Sequence, residues 1–414
     1  MQKVFFLMPG QGAQYVEMGK DICEKYPEVE RIYDTANRVL GEDIKRMCFE
    51  ADIDELTRTE NTQIAVFLNS VAMYKALSNR YNLEPVGFAG HSLGEFSALV
   101  CAESLDLESA IRLVRKRGQF MQETSEQFPS KMVALRNISV QEIENHCRMI
   151  SEKGSHVAIA NYNSPNQVVI TGYKNAVDEV VEKLTKLGAD EIVVNVKTPF
   201  HTELMQSSAD QFMKEIENVE IKHPKYEVIA NLTGEPYLKS DDISDMLVKQ
   251  IISPVKWIQT MEYVKSLNVD LVIDIGPKDI VKKLAKQNGI KTPTFAASVN
   301  DDMKTLTQKF LSPKTVVSFL SKALGLVVSL KNYNDNIEEY NEGVVKPYKR
   351  IEEMKRTFQN QSYELSEMEV NEVLSLLNTI FETKKTPLHE REKRIQDLMK
   401  VAPSPQENKD LITQ

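Results

Sequence analysis

Residues 86–94 read Val86-Gly87-Phe88-Ala89-Gly90-His91-Ser92-Leu93-Gly94. Val86 to Ala89 is a short apolar run of the kind that forms a buried parallel strand. Leu93 to Cys101 reads as a helix. Between them Gly90-His91-Ser92-Leu93-Gly94 matches G-x-S-x-G, which puts a serine on a sharp strand-to-helix turn whose glycines permit the tight backbone. Ser92 is therefore a candidate nucleophile. A serine that only caps the following helix would leave the same local pattern.

Upstream, Val4 to Met8 is a second short apolar run, ended by Pro9 and Gly10. It is too short for a signal-peptide core. Residues 62 to 77 place Ile64, Leu68, Val71 and Ala72 at helical spacing, and Glu227 to Ala230 and Asp270 to Ile275 read as further strands. Strand and helix alternate, so the fold class is α/β with a parallel-sheet large domain of hydrolase-like type. Between these segments the order changes. Met132 to Arg136 is a strand, 140 to 152 a helix, His156 to Asn161 and Gln167 to Thr171 strands about the Ser164-Pro165 turn, 174 to 187 a helix ending at Gly188, and Glu191 to Val196 a strand. The β-α-β-β-α-β order is ferredoxin-like. We expect a small domain at 129–196 inserted in a large domain formed by 1–128 and 197–290.

Beyond about 300 strand signals fade. Val370, Val373, Leu374, Leu377, Ile380 and Phe381 form a helical stripe over 367–382, with Ser366 and Glu369 as capping box and Leu365 with Val370 as hydrophobic staple. Residues 291–414 are expected to be a mostly helical extension, with Pro403 and Pro405 in a disordered end.

The chain has 414 residues, 42% hydrophobic and 27% charged, with a formal net charge of -9. An acidic balance argues against a nucleic-acid footprint. No run approaches a membrane span. Cys23, Cys48, Cys101 and Cys147 are widely spaced with no C-x-x-C, which suits incidental thiols in a reducing compartment rather than a metal or redox site. We expect a cytoplasmic monomer with no metal and no cofactor.

If Ser92 reacts, its oxyanion needs donors. The Leu93 backbone N–H follows the nucleophile and sits at a helix N-terminus. Gly10-Gln11-Gly12 follows the first strand, and the Gln11 N–H is the candidate second donor. The serine also needs a base. Among six histidines, His201 in Thr198-Pro199-Phe200-His201 stands where the chain re-enters the large domain; a partly exposed loop histidine is the alternative. On the helix from about 107 to 123 the apolar face runs Ala110, Leu113, Val114, Phe120 and Met121, and Arg117 falls within it. An inward arginine requires a partner. That partner is either a structural carboxylate or the carboxylate of a ligand, which a planar guanidinium grips with two bonds.

Gly10-Gln11-Gly12-Ala13-Gln14, Gly90-His91-Ser92-Leu93-Gly94-Glu95, Asn163-Ser164-Pro165 and Pro254-Val255-x-Trp257 occur in this order. Together they resemble the malonyl-CoA:acyl carrier protein transacylase family, whose relatives include the acyltransferase domains of polyketide synthases. The resemblance spans about residues 1 to 290. It implies Ser92 as nucleophile, His201 as base, the Gln250 carbonyl as orienter of that histidine in place of a triad acid, and Arg117 as the malonyl-binding residue. It places Gln63 near the bound acyl group, although read alone Gln63 could be a polar residue at a helix start. Phe200, before the histidine, implies malonyl over its branched derivative. The implied substrates are a CoA thioester and a partner acyl carrier protein, with service in trans to polyketide synthesis or, alternatively, to fatty acid synthesis. The rivals are a hydrolase that clears stalled carrier proteins and a carrier-to-carrier transfer of a substituted malonyl unit. Pro129-Ser130-Lys131-Met132 departs from the family's glycine-rich segment, and the extension lies outside the common family length.

Overall fold

A computed structural model describes residues 2–194, 198–311, 316–358, 367–399 and 401–402. The chain lays down β1 (Gln2–Met8) and β2 (Leu83–Gly90), then β3 (Ser130–Arg136), β4 (Val157–Ser164), β5 (Gln167–Tyr173) and β6 (Asp190–Val193), and finally β7 (Glu227–Ile229), β8 (Leu271–Asp274) and β9 (Thr294–Ala296). It divides into two units, one of Gln2–Ala76 with Glu84–Phe310, the other of Leu311 onward with Leu77–Leu83.

In the first unit the large sheet has the order β7-β2-β1-β8-β9. β1 with β8, β2 with β7 and β8 with β9 run parallel. Val4 to Met8 of the central β1 are fully buried, as a strand covered on both faces requires. The carboxyl ends of β1, β2 and β7 therefore open side by side, where α/β sheets place their sites.

The expected insertion is present. Helices Val140–Ser151 and Lys174–Lys186 alternate with β3 to β6 in a separate antiparallel sheet of order β4-β5-β3-β6. Ser139 caps the first helix by accepting from the Glu142 N–H at 3.2 Å. Val133, Ile143, Val157, Ile170, Val177, Val180 and Leu184 form its core. The sequence motifs Asn163-Ser164-Pro165 and Pro254-Val255-x-Trp257 join this sheet to the large domain. Val255 N–H donates to Ala160 O (2.9 Å), Tyr162 N–H donates to Val255 O (3.0 Å), and Asn288 Nδ2 donates to Asn163 O (2.8 Å). The last residues of the expected strand, 195–196, lie outside the described residues, as do Leu365 and Ser366 of the expected cap and staple.

The expected boundary at 290 is corrected. Thr294 to Ala296 pair with Val272 to Asp274, and Asp302, in the helix Asn300–Lys309, accepts from the Ala296 N–H at 2.7 Å. These residues extend the parallel sheet, and the chain divides at Leu311 instead. A three-residue half-buried edge strand carries too little apolar periodicity to be seen in the sequence.

The second unit is helical, with Val316–Ser329, Lys346–Phe358, Glu367–Thr383 and Leu388–Met399 as its main elements. Phe319, Leu320, Val373, Leu377, Ile380 and Phe381 are buried in its core, as the stripe over 367–382 requires. Buried Lys384 donates to Val327 O (2.7 Å) and Leu330 O (3.1 Å), satisfying carbonyls at the end of the first of these helices. Because Phe381 is fully enclosed, Phe381→Ala should cost the protein about 3–5 kcal/mol. Urea unfolding followed by circular dichroism would show the loss as a lower midpoint in the helical signal.

Candidate active site

The turn after β2 forms as its motif requires. Ser92 adopts φ 53, a left-handed conformation costly for any side chain but glycine. A Cβ on Gly90 would overlap the Gly94 carbonyl, and one on Gly94 would overlap Met8 O. The helix Gly94–Cys101 thus starts in direct contact with the end of β1. The His91 N–H donates to Met8 O (2.9 Å) and the Ser92 N–H to Asn231 Oδ1 (2.6 Å), while Asn231 Nδ2 donates to Gly90 O (2.6 Å). One asparagine at the end of β7 therefore holds both sides of the turn.

Ser92 Oγ meets two groups. His201 Nε2 lies 2.8 Å away and Arg117 Nη2 3.2 Å away. The guanidinium can only donate, so the serine proton is left to point at His201. The other ring nitrogen, Nδ1, is 2.8 Å from Gln250 O, and the His201 backbone N–H donates to Ile251 O at 3.1 Å. Both carbonyls belong to the last turn of the helix Ile243–Ile252, where they have no partner within the helix. A carbonyl only accepts, so Nδ1 carries the ring proton and Nε2 is the free base. His201 itself has φ 61 and is buried. Burial first, and the Arg117 cation second, push its pKa down to about 3. The imidazole is therefore neutral at pH 7.

Arg117 lies in the helix Leu107–Ser125, on the inward face as its place in the apolar stripe indicates, and is 1% exposed. Nη1 donates to Gln63 Oε1 (2.7 Å) and Nη2 to Gln250 Oε1 (3.0 Å). Its guanidinium carbon stands 5.7 Å from the centre of the Phe96 ring. Burial lowers its pKa to about 10, so it remains a cation at neutral pH. Its Nε finds no partner, and among the described residues no carboxylate comes within ion-pair distance. Arg117 thus makes no direct ion pair among the described residues; the buried carboxylate that acts on it, Glu95, does so through the Gln250 amide. Gln63 lies inside the helix Thr59–Arg80, 1% exposed, and its amide is fixed by Arg117 on one side and by Met121 Sδ (3.5 Å) on the other.

The two candidate backbone donors lie on neighbouring segments. A Cβ on Gly10 would stand 2.5 Å from His91 O and 3.6 Å from Leu93 N, so the loop carrying Gln11 runs beside the start of the Ser92 helix. Neither the Gln11 nor the Leu93 backbone N–H is taken by another described residue. Phe200 is buried with its ring centre 6.4 Å from that of His201. His91 turns away from the serine. Its Nε2 pairs with Asn163 Oδ1 (2.8 Å) and its ring lies against Trp257. Among the described residues no group of side chains could hold a metal ion, and no helix is long and apolar enough to cross a membrane.

Sequence reasoning missed Glu95, Tyr237, Asn231 and the side-chain role of Gln250. Glu95 Oε2 accepts from Gln250 Nε2 (2.7 Å) and from the Asn231 N–H (3.2 Å), and Oε1 accepts from the Tyr237 hydroxyl. The signal was the same as for Arg117, a charged residue on an inward face, here among Phe96, Ala98 and Leu99. Asn231 and Tyr237 lie in an irregular segment after β7 and carried no pattern at all.

Fold and geometry define an α/β protein of the class that carries a serine–histidine pair on a strand–turn–helix elbow, here with an unpaired cation beside the pair. The chain belongs to the acyl transferase domain family, whose model matches residues 5–318. A malonyl CoA-acyl carrier protein transacylase of Bacillus subtilis is 31% identical over 395 residues, 94% of this chain and 99% of its own. One of Escherichia coli strain K12 is 35% identical over 288 residues, 69% of this chain and 93% of its own. The solved malonyl CoA-acyl carrier protein transacylase of Clostridium perfringens superposes with TM-score 0.71 at 31% identity, covering 74% of this chain and 96% of that one. A malonyl-transacylase solved in complex with its type II PKS acyl-carrier protein superposes with TM-score 0.69 at 31% identity, covering 74% of this chain and 98% of that one. The 395-residue alignment necessarily runs past Phe310, so the Bacillus subtilis relative shares sequence in the helical unit.

A buried imidazole with a depressed pKa must stay neutral over the working pH range. In nitrogen-15 NMR, His201 should show the Nδ1-protonated neutral tautomer from pH 8 to 5 with no titration. Arg117→Gln removes the second cause of the depression, so the midpoint should rise yet stay below the ordinary histidine value, because burial is the larger cause.

Proposed function

We propose that the protein transfers malonyl from malonyl-CoA to the phosphopantetheine thiol of an acyl carrier protein through an acyl-serine intermediate. The observation that carries this reading is Arg117, a buried cation with no carboxylate within ion-pair distance among the described residues, 3.2 Å from Ser92 Oγ. A buried cation with no anion in contact is costly. The free carboxylate of a malonyl group supplies that anion, and holds the thioester carbonyl next to the serine as it does so.

In the first half-reaction Ser92 Oγ attacks the thioester carbonyl while its proton passes to His201 Nε2. The carbonyl oxygen becomes an oxyanion facing the Gln11 and Leu93 N–H groups, at the positive end of the Gly94–Cys101 helix. Collapse breaks the carbon–sulfur bond, His201 returns the proton to the departing CoA sulfur, and malonyl stays on Ser92. In the second, the carrier's thiol gives its proton to His201, its sulfur attacks the acyl-serine, and Ser92 leaves with the proton restored. The substrate carboxylate also changes the base. By neutralising Arg117 it removes the second-largest cause that depresses His201, so the histidine becomes more basic once the correct acyl group is bound. The Gln250 carbonyl keeps the tautomer through both steps. Phe200 crowds the space an α-substituent would need, which favours malonyl over branched units.

The enzyme acts in the cytoplasm as a monomer, and its carrier belongs to polyketide synthesis. Support for the pathway is the helical unit beyond Phe310 and the likeness to a malonyl-transacylase solved with a type II PKS acyl-carrier protein.

Intact-mass spectrometry after mixing the protein with malonyl-CoA should show a malonyl adduct that moves to an added phosphopantetheinylated carrier protein. Ser92→Ala should form none. Arg117→Ala should load malonyl about 100-fold more slowly, the loss of a charge-assisted bidentate contact. Hydrolysis of acetyl or longer acyl thioesters without a malonyl adduct would establish an editing hydrolase instead. A higher transfer rate to a fatty-acid carrier than to a polyketide carrier would reassign the pathway.

A further inference from the structure

The serine–histidine pair has no triad acid touching it, because the histidine Nδ1 meets a backbone carbonyl. Yet a buried carboxylate lies one residue further on. Gln250 accepts from His201 Nδ1 through its main-chain oxygen, and through its side chain it donates to Glu95 Oε2 at 2.7 Å and to Ser92 O at 3.0 Å. The same amide accepts from Arg117 through Oε1. The Glu95 oxygen that receives Gln250 also receives the Asn231 N–H, and Asn231 holds the Ser92 turn. Gln250, which holds the histidine ring, and Asn231, which holds the serine turn, are therefore tied to one carboxylate.

We propose that Glu95 is the missing acid of the triad, a positioning residue that acts on His201 through Gln250 and on Ser92 through Asn231. This rests on the acyl-serine reading above. As a carboxylate it fixes the Gln250 amide, since Oε2 can only accept and so requires Nε2 on its side and Oε1 on the side of Arg117. Its charge also favours the imidazolium that forms when His201 takes the serine proton, and offsets Arg117 before the substrate carboxylate arrives.

The titratable and charged groups facing Glu95 are Tyr237, from the segment after β7, and Arg117, from the helix Leu107–Ser125; Gln250 and Asn231, its other partners, are uncharged. Burial pushes Glu95 up to about 7, against the lowering effect of Tyr237, Gln250, Asn231 and Arg117. His201, at about 3, protonates far lower. Activity should therefore fall as pH drops through about 7, with Glu95 and not His201 as the group that titrates.

The test uses the full chain and malonyl-N-acetylcysteamine, a thioester free of the titrating phosphates of CoA, with acyl-adduct formation followed by mass. Glu95→Gln keeps the shape. Its amide oxygen can receive Gln250 and Asn231 while its nitrogen donates to the Tyr237 oxygen, so the charge is lost together with the acceptor of the Tyr237 hydroxyl proton; the double variant with Tyr237→Phe, compared with Tyr237→Phe alone, isolates the charge. We expect the loading rate at pH 8 to fall about tenfold and the acid limb near pH 7 to flatten. Tyr237→Phe removes a hydrogen bond that lowers the Glu95 pKa, so the limb should move to higher pH. A folded Glu95→Gln that loads at the wild-type rate, or that keeps the same limb, overturns the proposal. If Glu95→Gln does not fold, an unmoved limb in Tyr237→Phe overturns it. A wild-type chain that forms no malonyl adduct refutes the transferase reading instead, a result separable from either.

Discussion

A primary amide has one oxygen and one nitrogen, and at Gln250 both ends and the backbone carbonyl are committed. Oε1 takes Arg117, Nε2 gives to Glu95 and to Ser92 O, and the main-chain oxygen takes His201 Nδ1. Turning the amide over would set nitrogen against guanidinium and oxygen against carboxylate, leaving buried donors and acceptors unpaired at a cost of about 1–3 kcal/mol each. The positions of base, nucleophile and cation are thus not independent. They follow from the orientation of one side chain at the end of the helix Ile243–Ile252. That helix end also has its own reason to face the histidine, because its last carbonyls need donors and the imidazole N–H and backbone N–H of residue 201 supply them.

Burial then decides the electrostatics. The interior around Ser92 holds a guanidinium, a carboxylate and two imidazoles with little access to water. His201 and His91 are driven towards neutrality, and Glu95 is driven up, with burial the first cause in each case. Arg117 alone keeps its charge by a wide margin. The charge that faces Ser92 directly is accordingly the Arg117 cation, and its complement is a small anionic acyl group. Charge selection and base activation become one event, because the anion that satisfies Arg117 is also the one that relieves His201.

Much of this could be read in the residues before any coordinates. Ser92 was visible because a strand, a glycine-bracketed serine and a helix leave a rigid local pattern. Arg117 was visible because a charge on an apolar helical stripe breaks a period. The small inserted sheet was visible as an order of elements. What escaped had no local period to break. Asn231 and Tyr237 sit in irregular backbone and matter only through partners more than a hundred positions away in the chain. Glu95 lay within a quoted motif, yet its partners are equally remote. The strand Thr294–Ala296 is too short for alternation to register, which is why the unit boundary was set about twenty residues early.

Ser92 and His201 share a left-handed backbone conformation, at φ 53 and 61. Such conformations cost of order 1–3 kcal/mol for a residue with a side chain, and glycine would be at ease in either place. Selection for folding alone would therefore not keep a serine or a histidine there. A lineage released from the need for the reaction should drift towards small, flexible residues at both positions while its sheet and helices persist or grow more robust. The two side chains thus report on whether the chemistry is still under selection, independently of how well the rest of the scaffold survives.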